Sequence, residues 1–146
     1  MDKFLRSFLA GVLGGIAMNI WSVIVYYILK ISKMRFLDWM AIVLYGHMPH
    51  TNLEAIYALP IQIGFCGGLG VVMFYFFKAF GYKHFLIKSM IFGLGISVIL
   101  YAILALFHAP GMFVLALPTV FSNHIGALIW GVITGFYLRA IKSEFT

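Results

Sequence analysis

Four apolar runs free of Asp, Glu, Lys and Arg dominate the chain, at residues 8–29, 55–77, 89–107 and 118–138. At 1.5 Å per helical residue, runs of roughly 20 residues match the hydrocarbon thickness of a bilayer, about 30 Å. The pattern predicts an all-α membrane protein: a four-transmembrane-helix bundle in which residues 1–146 form one integral membrane domain. Between the first and second runs lies LDWMAIVLYGHMPH, whose apolar core of about ten residues is too short to span. Trp39 and Tyr45 favour the headgroup level, so this segment is expected to be a short interfacial or re-entrant helix, ended by Gly46 and Pro49.

Inside the runs, small residues recur at helical spacing. Ser7, Gly11, Gly15 and Asn19 are each four apart, and so are Gly64 and Gly68, with Gly67 and Gly70 widening the small surface. Ser89, Gly93 and Ser97 share a stripe with Tyr101, and Ala127, Gly131 and Gly135 follow His124 at steps of three, four and four. Such stripes let helix backbones approach closely where apolar burial gives no net drive to associate. Asn19 is expected to hydrogen-bond across a helix pair, and His124 to face protein. Thr51 and Glu54 have the spacing of a capping box, Pro110-Gly111 is a helix stop, and Pro118 can open the fourth helix. Tyr57-Ala58-Leu59-Pro60 and Leu115-Ala116-Leu117-Pro118 are weakly alike, as in a duplicated helical hairpin.

Composition sharpens the class. Of 146 residues 64% are hydrophobic and 10% charged, against about a quarter charged in soluble domains. The net charge of +6 reads as topology and contact with anionic headgroups; no basic face suits nucleic acid. Lys3, Arg6, Lys78, Lys83, Lys88, Arg139 and Lys142 fall on one side of a four-span layout, and Lys30, Lys33 and Arg35 on the other. This bias predicts a multi-pass protein of the inner (plasma) membrane with both termini cytoplasmic. The single cysteine, Cys66, leaves no intrachain disulfide.

Three functional readings follow. The leading one is a non-enzymatic component that packs, through its small-residue stripes, into a homo-oligomer or a larger membrane complex. In the second, His124, Asn123, Asn19, Gln62 and Tyr101 line a polar path for a proton or small solute, since polar groups within a span are functional candidates. In the third, His47, His50, His108, His124 and Glu54 gather at the outer face as ligands for a metal ion or haem. No cofactor is specified by any motif. Ser97 and Ser122 lack a His-carboxylate partner at a recognisable spacing, and the glycines do not form a phosphate loop, so no catalytic residue is assigned. FLAGVLGGIAMNIW from Phe8 to Trp21 and IWGVITGFY from Ile129 to Tyr137 resemble segments of small four-helix bacterial membrane proteins of the YqhR type. That resemblance implies fold and membrane location only.

Overall fold

The computed structural model describes residues 2–108 and 115–141, and all regular structure among them is helical. Helix α1 (Lys3–Val23) continues as a π-helical turn over Ile24–Ile28. It is followed by the short α2 (Phe36–Tyr45), then α3 (Asn52–Phe80), α4 (Phe85–Leu106) and α5 (Leu117–Ala140). Four of these are long and apolar enough to cross a membrane, each extending beyond its apolar run at one end or both except at the close of α4. The Pro110-Gly111 stop and most of the third connection lie outside the described residues.

Helix ends follow local chemistry. The Asp2 carboxylate accepts from the Leu5 amide at 2.7 Å, capping α1. At α3 the Thr51 hydroxyl accepts from the Glu54 amide, as the capping-box spacing predicts, but the Glu54 carboxylate accepts from the His50 amide rather than from Thr51. The box is thus shifted back by one residue on its return bond. Helix α2 ends at Gly46, whose φ of 76° is the left-handed conformation that glycine adopts without a Cβ penalty.

Helix α1 is the keel of the bundle because it carries small residues on two faces. Gly11 and Gly15 meet Cys66, Gly67 and Gly70 of α3, while Gly14 meets Trp130 and Thr134 of α5. On the α4–α5 seam, a Cβ at Gly93 would lie 2.5 Å from the carbonyl oxygen of Ala127; Gly131 and Gly135 pack on Ser89. Of the α3 glycines, the pair chosen by spacing is the wrong one for this contact. Gly64 and Gly68 have open space at their Cβ positions, and Gly67 and Gly70 make the approach to α1 instead. The α3 face is selected by Phe8, whose ring lies 2.6 Å from a Cβ built at Gly67.

Consecutive long helices therefore form two antiparallel hairpins, α1–α3 and α4–α5, joined through α1–α5. Helices α3 and α4 barely touch although a short turn joins them. A two-fold duplication would repeat the α1–α5 contact as an α3–α4 contact. That second contact is far smaller than the first. The burial pattern is inverted relative to a water-soluble protein: Ser7, Asn19, Gln62, Ser89, Thr119, Asn123 and Thr134 are buried, whereas Ile91, Val98, Ile99, Val72 and Phe136 are exposed.

The contacts separate the glycines by consequence. Gly131→Leu and Gly93→Leu are expected to lower stability in detergent by about 1–3 kcal/mol or more, because the added side chain meets neighbouring backbone. Gly64→Ala and Gly68→Ala should leave it unchanged or raise it by up to about 1 kcal/mol through helix propensity. Thermal unfolding of the four variants measures this directly.

Candidate functional site

Helix α2 is set in place by a buried ion pair. The Arg35 guanidinium meets the Asp38 carboxylate at 2.8 Å, and the same carboxylate accepts from the Arg35 amide at 2.7 Å. Asp38 is only 1% exposed. Arg35 also donates to the Tyr27 hydroxyl and lies over the Tyr26 ring. Burial works against its charge, but the hydrogen bond and the charge of Asp38 outweigh it, and the Arg35 pKa is raised. The loop into α2 is pinned from two other helices. The Ser22 hydroxyl accepts from the Phe36 amide, and the Thr119 hydroxyl accepts from the Lys33 amide. Phe36 then packs into the gap left by Gly126.

With α2 held there, the opening between α3 and α4 becomes a cavity of about 570 Å³ to which all five helices contribute. Its floor is Met18 of α1 with Ala127 and Trp130 of α5. The walls are apolar, from Phe65 and Leu69 on α3 to Leu100 and Leu104 on α4. Lining residues Phe65, Val43 and Ile103 are themselves exposed, which places the mouth where α2, α3 and α4 meet. Among the described residues, no Asp, Glu, Lys or Arg lines it.

The five polar residues expected to form one intramembrane path are split into two bonded groups. Asn19 of α1 donates to the Gln62 side-chain oxygen of α3 at 2.7 Å, the cross-helix bond expected of it. Gln62 in turn donates to the Cys66 sulfur at 3.3 Å. Across the cavity, Asn123 of α5 donates to the Tyr101 hydroxyl of α4 at 3.0 Å. The Tyr101 ring stacks on His124, 5.6 Å between centroids, so His124 does face protein. His124 Nδ1 lies 2.7 Å from the Val120 carbonyl. The two groups nonetheless occupy one level of the bundle. Asn19 pairs with Gln62, its neighbour Met18 touches Gly126, Trp21 donates to the Ser122 carbonyl, and Asn123 pairs with Tyr101. Gln62 and Tyr101 thus reach the same cavity from opposite walls.

The histidines are divided as well. Ligand atoms of His47, His50 and Glu54 lie within 4.8 Å of one another, but His108 and His124 are outside that group. The His47 and His50 rings stack 4.2 Å apart and nearly parallel, at 9°. Lone pairs of stacked imidazoles lie in parallel ring planes, whereas a bound ion sits about 2 Å from each nitrogen, in the plane of each ring. An ion here would have to turn one ring, with the Glu54 oxygen not bonded to the His50 amide as its third ligand.

Two features of the site were outside the sequence reading: the Arg35–Asp38 pair and the cavity itself. An Arg-x-x-Asp step at the head of an apolar helix was a signal for the first. No spacing signals a cavity made where two helices diverge. No family model matches the chain, and no curated protein or solved structure is significantly similar to it.

If the polar residues form two bonded groups, their energetic coupling should divide the same way. A double-mutant cycle of Asn19→Ala with Gln62→Ala is expected to give about 0.5–1.5 kcal/mol of coupling, and the pair Asn19→Ala with Asn123→Ala close to none. Unfolding free energies in detergent provide the comparison.

Proposed function

We propose that this protein is a multi-pass membrane protein, with α2 lying at the membrane interface, that holds one apolar, membrane-dissolved molecule in the cavity between α3 and α4. The observation that carries the reading is the shape and chemistry of that space: about 570 Å³, within the range of small-molecule sites, uncharged, and open at the side of the bundle. A bilayer surrounding the exposed Ile91, Val98 and Val72 would present its acyl chains directly to the mouth. The lysine and arginine bias supports cytoplasmic termini in this reading, with α2 on the opposite side.

The geometry favours this over assembly through glycine stripes. The stripes of α1, α4 and α5 are spent on contacts within the chain, and only Gly64 and Gly68 of the expected set remain unused. It also favours binding over conduction: Asn19, Gln62, Asn123 and Tyr101 are tied in pairs, and the space between them is walled by hydrocarbon.

Trp130, on the cavity floor and 3% exposed, reports occupancy. In liposomes of phospholipid brominated along its acyl chains, a variant retaining only Trp130 (Trp21→Phe with Trp39→Phe) is expected to be quenched despite that burial. Ser97→Phe, which fills part of the cavity, should remove at least half of the quenching. Full Trp130 emission in brominated lipid would contradict the proposal.

A further inference from the structure

Beside the Trp39 indole N–H, a buried donor with no partner among the described residues, three polar side chains on the cavity wall are unlike one another in origin but alike in what they offer. Gln62 has its oxygen committed to Asn19, and its amide nitrogen faces only a thiol, a weak acceptor. The Tyr101 hydroxyl accepts from Asn123, which leaves its own proton to give. Ser97, 8% exposed and one helical turn from Tyr101, makes no hydrogen bond among the described residues. All three line the cavity. The wall therefore presents donors looking for an acceptor, in one band, with apolar surface above and below.

Two further facts narrow the guest. Among the described residues no cation lines the space, so a free carboxylate would enter without a counter-charge and at high cost. The lining of α4 runs from Gly93 to Leu104, about 16 Å along the helix, so the space is long and narrow, suited to a chain more than to a broad ring system. We propose that the cavity takes a fatty acyl chain of a bilayer lipid, with the neutral ester carbonyl accepting from the band of Ser97, Tyr101 and Gln62. The chain then lies along α3 and α4 toward Leu69 and Trp130. This rests on the reading of the cavity as an apolar-ligand site and adds the chemical class and polarity of the ligand.

The test uses the full chain in liposomes containing a trace of phosphatidylcholine with a diazirine near the end of one chain, in two forms: ester-linked, and ether-linked without the carbonyl. After photolysis, adducts are mapped by mass spectrometry. The ester probe is expected to label cavity residues such as Phe65, Leu69 and Leu100 about three- to tenfold more than the ether probe, the span of one or two net hydrogen bonds. Labelling of the outward Ile91 and Val98 should not distinguish the probes. Ser97→Ala and Tyr101→Phe should each reduce the ester preference in the cavity, and Ser97→Thr, which keeps a hydroxyl, should retain it. Equal cavity labelling by both probes overturns the carbonyl assignment while leaving the apolar-ligand reading intact. Labelling confined to the outward faces overturns both, whereas an isoprenoid quinone recovered from the cavity in place of acyl lipid overturns only the proposed occupant.

Discussion

The close approach of α1 to two helices at once is the contact on which the remaining arrangement depends. A long apolar helix has one small-residue face at most in a simple hairpin, but α1 has Gly11 and Gly15 toward α3 and Gly14 toward α5. Packing in an apolar environment is decided by how closely backbones can come, so α3 and α5 both settle on α1. Helix α4 has its own small face, Ser89 and Gly93, and that face is taken by α5. The glycines left over, Gly64 and Gly68 of α3 and Gly95 of α4, meet no neighbouring helix, and α3 and α4 touch little over most of their length. Below, they meet where the Phe76 and Phe92 rings pack, 5.3 Å apart; above, they are held open.

Helix α2 turns that gap into a walled space. It is too short to be stable by itself, since isolated helices under about 12 residues are marginal. The Ser22 and Thr119 hydroxyls and the Phe36–Gly126 contact anchor it from α1 and α5, and the Arg35–Asp38 pair closes its first turn. A buried ion pair of this kind does not guarantee net stability, but removing one partner strands a buried charge. Its place beside the mouth of the cavity is thus strongly specified, while the cavity itself remains lined by hydrocarbon.

The architecture was legible in the sequence because length and apolarity suffice to define a spanning helix, and because Asn19 and Gly93 sit on faces with a single small-residue alternative. Helix α3 was ambiguous for a physical reason. Glycines at 64, 67, 68 and 70 cover two faces at spacings of three and four, and the choice between them is made by Phe8 and Gly11 on another helix. The charges near Arg35 read as a topology signal, which hid their role as an anchor. Glu54, expected as a cap and a candidate ligand, gives one oxygen to the His50 amide and stays beside His47 and His50, whereas His124 stacks on Tyr101 away from the loop histidines. The cavity was not legible because it arises where α3 and α4 stay apart, and periodicity reports only the contacts that each helix could make.

Under the proposed function, an apolar molecule reaches the interior of the bundle from the side, between α3 and α4. Cys66, the sole cysteine, is buried on the cavity wall and offers a native probe of that route. In liposomes, a bilayer-soluble maleimide such as N-pyrenylmaleimide is predicted to label Cys66 of the folded protein, slowly but to completion. A charged maleimide confined to water should not label it, and Ser97→Phe should slow the lipid-phase reaction severalfold. Labelling of Cys66 only after unfolding, or only by the water-confined reagent, would contradict a lateral opening.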